Sequence, residues 1–148
     1  SGTPKVIEYN CRFGDPETQP IMMRMQSDLV DLCFTALAGE LDKAIIEFDP
    51  RPAVGVVLAA AGYPASYPKG DVITGIPATT DTTKTFHAGT KEVNGEVVTN
   101  GGRVLCATAM GDTVTSAQQA AYKLVEQIKW QGVEYRTDIA FRAIQRES

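Results

Sequence analysis

Hydrophobic and polar residues alternate in the stretch that runs from Val6 to Phe13. One set of alternate positions is mostly apolar and comprises Ile7, Tyr9, Cys11 and Phe13. The other set comprises Val6, Glu8, Asn10 and Arg12. Because successive side chains of a strand point to opposite faces, this pattern predicts a strand with one core face and one polar face. Gly14, Asp15 and Pro16 have turn chemistry and are expected to end the strand.

Helical spacing replaces this alternation between residues 17 and 39, where apolar residues recur every three or four positions. The pattern predicts two helical segments. Pro20 suits the first turn of the first segment, and Ser27 or Asp28 is a candidate N-cap of the second.

A breaker sequence, Asp-Pro-Arg-Pro, occupies residues 49–52. Residues 41–48 before it are expected to form a short helix or a loop. Residues after it are rich in β-branched side chains, glycines and turn signals. We therefore predict a domain boundary here, with one domain over 1–50 and another over 51–148.

The second part carries short strand patterns. The apolar run Ala53–Ala60 predicts a central strand that is buried on both faces. A shorter strand is expected at 71–76 and a further buried strand at 103–110.

Two glycine turns and a helix complete the predicted elements. Asn94-Gly95 is a strong hairpin signal between predicted strands at 85–93 and 96–99. Gly101-Gly102 is expected to form a second tight turn, within a hairpin.

A longer amphipathic helix is predicted from Asp112 or Thr113 to about Ile128. Residues 135–142 are expected to form a short strand or a helical turn. The second part is therefore expected to be a mostly antiparallel β domain packed with one helix.

Composition and charge narrow the classes of function. With 43% hydrophobic residues among 148, the chain can bury a core. A net charge of −4 provides no electrostatic case for binding nucleic acid or an anionic membrane. No apolar run approaches the length of a membrane span. Three widely spaced cysteines predict neither a disulfide framework nor a zinc site, and they favour a reducing, cytoplasmic compartment.

The polar face of the first predicted strand is a candidate metal site. Glu8 and Asn10 place two hard oxygen donors two residues apart, which suits Mg²⁺ because this ion takes few protein ligands and keeps water or phosphate oxygens. Arg12 is placed to contact a phosphate or carboxylate bidentately. The alternation alone fits equally well a strand whose polar face only meets solvent.

The sequence of residues 8–19 resembles the metal-binding strand of ATP-grasp ligases. The Glu-x-Asn-x-Arg core is shared widely among them, and the continuation Arg-Phe-Gly-Asp-Pro-Glu-Thr-Gln is similar to one family, the glycinamide ribonucleotide synthetases. The resemblance continues through 55–64, 86–91 and 99–105, and so covers nearly the whole chain. The chain matches only the C-terminal part of that family's usual length.

The resemblance implies an α/β (α+β) fold in two parts. Residues 1–50 would be the end of an ATP-grasp domain, with a metal-binding strand and helices, and 51–148 the C-terminal domain. Glu8 and Asn10 would ligate Mg²⁺ or Mn²⁺ bridging the phosphates of ATP.

Arg12 matches a position that faces the reacting acyl phosphate, so the resemblance implies a catalytic and cofactor-binding role for it. Gly14 and Asp15 match the turn beside the acceptor site and are expected to bind substrate.

The implied activity is the ATP-dependent ligation of glycine to 5-phosphoribosylamine through a glycyl phosphate, in de novo purine biosynthesis. The implied partners are these two substrates and the N-terminal part of the same enzyme, with no nucleic acid and no membrane. The chain alone is expected to be an inactive fragment with half of a metal site, exposing the apolar face of its first helices. Two alternatives stay open: another ATP-grasp ligase or carboxylase component, and a non-catalytic docking module.

Three further features carry weaker predictions. His87, the only histidine, is expected to be structural, with a role near the active-site cleft as the weaker alternative. Gly101-Gly102-Arg103 lacks a full phosphate-binding motif, which favours the turn. Arginines near the end are expected to form a solvated face: Arg136, Arg142 and Arg146.

Overall fold

The computed structural model describes residues 2–147, which form four α-helices, five strands and one 3₁₀ turn. The helices are α1 Thr18–Arg24, α2 Leu29–Leu37, α3 Val114–Val125 and α4 Phe141–Glu147. The strands are β1 Ala53–Ala59, β2 Thr83–His87, β3 Thr90–Val93, β4 Glu96–Thr99 and β5 Arg103–Met110, and the 3₁₀ turn covers Leu41–Lys43. The fold is a mixed α/β fold with small antiparallel sheets, as predicted.

The main sheet has three antiparallel strands in the order β1-β5-β2. β5 is central, and seven of its eight residues are buried. The prediction that residues 53–60 form a central strand buried on both faces is wrong. β1 lies at an edge, and its residues alternate between buried and half-buried. Its run is apolar throughout because one face meets the core and the other lines a cavity.

The core lies between this sheet and α3. Thr113 begins the helix with a capping box that it shares with Ser116, as the predicted N-cap requires. Full burial of one valine or leucine side chain contributes about 1.5–3 kcal/mol to stability. The buried cluster that joins β1, β5 and α3 includes Val54, Val56, Leu58, Leu105, Ala107, Ala117, Ala121, Leu124 and Val125.

The second sheet is the predicted hairpin β3–β4. Asn94 and Gly95 have φ angles of 52° and 82°, and two positive φ angles at the turn match the twist of the paired strands. The strand predicted over 85–93 is interrupted at Ala88-Gly89, where Gly89 closely approaches Gly101.

Two predictions around these strands are wrong. Gly101-Gly102 does not close a hairpin, because β4 and β5 belong to different sheets. Residues 71–76 form only the isolated bridges Val72–Val98 and Thr74–Lys129. Gly75, with φ of 71°, takes the chain out of the extended conformation there.

The strand predicted over 6–13 is not formed. Residues 2–13 have no regular secondary structure and are exposed, with Ile7 at 97%. Within residues 2–147 no other strand pairs with this segment, and a strand without a neighbour leaves its backbone groups unpaired. The alternating pattern shows that these residues suit a strand, but it does not show whether another strand is available to pair with them.

The helices over 17–39 are confirmed as two segments. Asp28 is the N-cap of α2, and its Oδ1 accepts a hydrogen bond from the backbone of Val30 at 2.7 Å. Ser27, the alternative, accepts instead from the backbone of Glu47 at 2.8 Å. The predicted apolar face of α2 is exposed, with Leu37 at 84%.

The final segment follows its helical alternative. Residues 139–140 form a turn, and α4 begins directly after it at Phe141. Within residues 2–147, no helix has the length and apolar character needed to cross a membrane.

Candidate functional site

One end of the main sheet gathers the motifs noted in the sequence. Arg103 at the start of β5 pairs with Ala59 at the end of β1. His87 at the end of β2 pairs with Leu105. The backbone N–H of Gly89 donates to the carbonyl of Arg103 at 2.9 Å. Three stretches distant in sequence therefore meet at this end.

Gly102 lets an aromatic ring approach the backbone at this end. A Cβ on Gly102 would lie 2.1 Å from Cδ2 of Tyr63 and 3.0 Å from Cε1 of Tyr67. No real Cβ tolerates the first distance, so glycine is required for Tyr63 to occupy this place. The double glycine serves close packing, and neither a hairpin turn nor a phosphate loop.

Arg103 connects this end of the sheet to the turn near the start of the chain. Its Nε donates to the hydroxyl of Tyr63 at 2.9 Å, and its Nη1 donates to the backbone carbonyl of Asp15. Nη1 also lies 3.3 Å from Oδ2 of Asp15. The hydrogen bond to Tyr63 and the charge of Asp15 raise the pKa of Arg103 against the effect of desolvation, so it stays a cation.

An open cavity of about 480 Å³ lies on the face of β1 opposite α3. β1 forms one wall of the cavity, and the segment that contains Glu134 forms the second. This segment lies beside the end of β1 because Ala59 and Glu134 exchange backbone hydrogen bonds of 2.7 and 2.9 Å. The lining residues are Pro16, Gly55, Val57, Ala59, Tyr63, Arg103, Glu134, Tyr135, Arg136 and Ile139.

The rim of the cavity carries charges of both signs above an apolar floor. Arg136 pairs with Asp138 through hydrogen bonds of 2.8 and 2.7 Å, and these lower the pKa of Asp138. Glu134 accepts a hydrogen bond from the backbone of Gly62 at 3.4 Å. Such a rim suits a small polar ligand that carries donors and acceptors.

Two of the predicted site residues lie at this site. Gly14 is buried, and its carbonyl accepts hydrogen bonds from the backbone and side chain of Thr18. Asp15 is held by Arg103. Pro16, the next residue, lines the cavity.

The other three predicted residues lie outside it. Glu8, Asn10 and Arg12 are exposed in the irregular segment before the turn. Within residues 2–147, no group of three or more His, Cys, Asp or Glu side chains could hold a metal ion. The two oxygen donors of Glu8 and Asn10 are compatible with Mg²⁺, since this ion keeps most of its ligands from water and phosphates.

The remaining candidates have local roles. Nδ1 of His87 lies 3.0 Å from the hydroxyl of Thr90, across the turn between β2 and β3. Arg136 lines the cavity instead of forming only a solvated face. Sequence reasoning missed Tyr63, Arg103 and Glu134. Tyr63 lies in the Gly-Tyr-Pro motif of residues 62–64, within the resembling range 55–64, and Arg103 lies in the Gly-Gly-Arg motif, whereas Glu134 gave no signal.

Comparison with known proteins identifies relatives of the chain. The family model of the phosphoribosylglycinamide synthetase C domain matches residues 53–142. A phosphoribosylamine–glycine ligase of Vibrio vulnificus (strain CMCP6) is 63% identical over 147 residues, covering 99% of this chain and 34% of that protein. One of Pseudomonas aeruginosa is 62% identical over 148 residues, with coverage of 99% and 34%.

A solved structure shares the fold. The crystal structure of a phosphoribosylamine–glycine ligase from Thermotoga maritima matches with a TM-score of 0.70 and 38% identity. The match covers 91% of this chain and 33% of that one. The chain thus spans about a third of the length of the relatives it matches.

Proposed function

The chain belongs to the phosphoribosylglycinamide synthetase C-domain family, and we propose that it forms the C-terminal part of a phosphoribosylamine–glycine ligase. The observation that carries this proposal is the 63% identity across 99% of the chain to a protein of that name. The complete enzyme would join glycine to 5-phosphoribosylamine with ATP, giving glycinamide ribonucleotide for purine biosynthesis in the cytoplasm.

The reaction proceeds in two transfers. The glycine carboxylate attacks the γ-phosphorus of ATP, which forms glycyl phosphate and releases ADP. The amine of phosphoribosylamine then attacks the glycyl carbonyl carbon, phosphate leaves with its electron pair, and the amine loses a proton. The first transfer places an anionic carboxylate against a triphosphate, and in the second negative charge develops on the carbonyl oxygen and the departing phosphate, so the site must supply positive charge and fixed donors.

Glu8 and Asn10 would hold Mg²⁺ or Mn²⁺ together with the phosphates of ATP. This ion would supply positive charge at the phosphates. The match to the Vibrio protein extends over 147 residues, 63% of them identical, and so the aligned region spans these two positions. Arg12, two residues closer to the turn, would offset negative charge on the reacting phosphoryl group or glycyl phosphate.

Gly14 and Asp15 would form the turn beside the acceptor amine. Their position beside the cavity supports this role, because Asp15 contacts Arg103 and the next residue, Pro16, lines the cavity. The mixed charges of the rim are compatible with an amine on a phosphorylated sugar.

The division into residues 1–50 and 51–148 remains part of the proposal. The match to the C-domain family begins at residue 53, which supports it. Residues 1–50 would complete an ATP-grasp domain supplied by the N-terminal part of the same enzyme. Exposed apolar side chains available for that packing include Val6, Ile7, Tyr9, Phe13, Phe34, Leu37, Ile45 and Phe48.

A chimera tests the proposal directly. The matched C-terminal part of the Vibrio vulnificus ligase is replaced by this chain, and ADP release is measured with glycine and freshly generated phosphoribosylamine. We expect the chimera to release ADP, since 63% of the aligned positions are identical to those of the Vibrio protein, and we expect no activity from the chain alone. A folded chimera that binds ATP but never releases ADP would contradict the proposal, as would dependence on a different amine.

A further inference from the structure

We propose that Arg103, oriented by Tyr63, is a positioning residue that holds the Gly14–Asp15 turn against the C-terminal domain. The inference rests on the proposed function, which places substrate beside that turn. It gives the Gly-Gly-Arg and Gly-Tyr-Pro motifs a role in positioning the Gly14–Asp15 turn, which is distant from both in the sequence.

Arg103 lies on a rigid element of the fold. Arg103 is the first residue of β5, the central strand, and it pairs with Ala59 of β1. Residues Val104 to Met110 that follow it are all buried. Groups mounted on such an element are placed more accurately than groups mounted on loops.

Tyr63 fixes the direction of the guanidinium. Its ring packs against Gly102, and its hydroxyl accepts the Nε hydrogen bond of Arg103 at 2.9 Å. The Arg103 Cζ lies 5.8 Å from the centre of the Tyr63 ring. Because the guanidinium is planar, fixing Nε also fixes the direction in which Nη1 donates.

The other end of the contact is the turn itself. Nη1 of Arg103 donates to the carbonyl of Asp15 and lies 3.3 Å from Oδ2 of the same residue. The carbonyl of Gly14 accepts from Thr18 at the start of α1. The turn is therefore held at two points, by α1 and by Arg103, directly after the segment that carries Arg12.

The energetics favour a positioning role over a stabilising one. The side chains of Arg103 and Asp15 are 36% and 55% exposed. An ion pair this exposed adds little to the free energy of folding. Its measurable effect should therefore lie in the geometry of the turn, and a misplacement of about 1 Å can lower a rate by as much as 10²-fold.

The first test uses the active chimera. Tyr63→Phe removes only the hydroxyl, and Arg103→Lys keeps the charge but loses the planar fork. We expect both to lower kcat by roughly tenfold, a moderate share of the loss that misplacement can cause, with the melting temperature and the KM for ATP unchanged. Tyr67→Phe is the matched control, because its ring packs beside Tyr63 and its hydroxyl makes no hydrogen bond within residues 2–147.

A double variant separates direct from indirect action. If Tyr63 acts through Arg103, adding Tyr63→Phe to Arg103→Lys should lower kcat no further. If the two substitutions lower kcat equally and their effects multiply in the double variant, the inference is overturned. So would a raised KM for phosphoribosylamine in Arg103→Lys alone, since that would make Arg103 a substrate ligand.

Hydrogen exchange of the chain itself supplies a readout that needs no activity. The amide of Thr18 bonds to Gly14 across the turn at 3.1 Å. Tyr63→Phe and Arg103→Lys should each speed its exchange several-fold while leaving the amides of β5 unchanged. Unchanged exchange at Thr18 would overturn the inference. An inactive unmodified chimera would instead overturn the proposed function, and the exchange would still decide whether Arg103 holds the turn.

Discussion

Because Gly102 has no side chain, the side chains of Tyr63 and Arg103 can take up their positions beside it. The ring of Tyr63 occupies the volume that a Cβ would fill, and its hydroxyl then reaches Arg103. The partner on the far side, Asp15, is 88 residues away in sequence. The absence of a side chain at residue 102 therefore contributes to the contact between the first turn and the main sheet.

Gly102→Ala should displace the Tyr63 ring. We expect the free energy of unfolding in urea to fall by roughly 1–3 kcal/mol, the usual result of forcing a methyl group into an occupied space. The near-ultraviolet circular dichroism of the tyrosines should change with it. Gly2→Ala is the control, because nothing lies within 4 Å of a Cβ there. Equal stabilities of the two variants would show that the ring has room to move aside.

At this scale the sequence indicates candidate chemistry, which for Glu8 and Asn10 stays a prediction, but it does not indicate which distant residues are in contact. Glu8 and Asn10 stand out in the sequence because their oxygen donors and spacing suit a cation. Arg103 gave no such indication, since its partners Tyr63 and Asp15 are 40 and 88 residues away. Local patterns carry no information about pairs at that separation, so the arginine could only be assigned to a turn.

Elements that are determined by residues close together in the sequence were predicted correctly. α3 begins directly after its N-cap Thr113 because the capping box lies within four residues, and Asn94-Gly95 forms a turn because both residues accept positive φ. β1 was predicted at the centre of the sheet because an apolar run indicates that both faces are apolar, but it does not show that one of these faces lines a cavity. The segment over 6–13 has a strand pattern and no neighbour.

Glu147 links the last helix to α3 through a pH-sensitive contact. Its carboxylate accepts from the backbone N–H groups of Val114 and Thr115 at 2.6 and 3.2 Å. These hydrogen bonds lower the pKa of Glu147 below its usual 4.5. A group with a lowered pKa stabilises the fold above its unfolded value, and this contribution is lost as pH falls through the folded value.

Glu147→Gln should therefore flatten the acid side of the stability profile. Thermal unfolding between pH 7 and about pH 3 should show the wild-type chain losing more stability than the variant, because the variant has no charge to lose. Glu92→Gln is the control, since Glu92 is exposed on β3 and makes no ion pair within residues 2–147. If stability changes with pH in the same way in the wild-type chain, Glu147→Gln and Glu92→Gln, the Glu147 contact contributes nothing to stability.

At the scale of the whole molecule, the two parts of the chain differ in burial. Within residues 2–48, Gly14 is the only residue that is buried, whereas β1, β5 and α3 share one continuous core. The apolar pattern over 17–39 was correctly predicted as helical. Burial could not be predicted, because a stripe of apolar residues has the same spacing whether or not another surface covers it.

This difference predicts association of the chain when it stands alone. Phe34 and Leu37 are 65% and 84% exposed on α2, which is part of a larger apolar surface. Surfaces of this kind bind other apolar surfaces. We expect the chain to bind a hydrophobic probe dye and to form oligomers as its concentration rises, while the chimera, whose N-terminal part would cover the surface under the proposed packing, should do neither.

A double substitution tests whether α2 is the source. Phe34→Ser with Leu37→Ser should weaken dye binding and self-association several-fold, yet leave the melting temperature almost unchanged, because exposed side chains contribute little to folding. Substituting Val93→Ser, at an exposed position on β3, provides the control. A monomeric chain without dye binding would mean that the surface has no tendency to associate, and the proposed packing against the N-terminal part would lose its physical basis. Association that survives the double substitution would move its source to the other exposed apolar residues of this part, between Val6 and Phe13 or between Leu41 and Phe48.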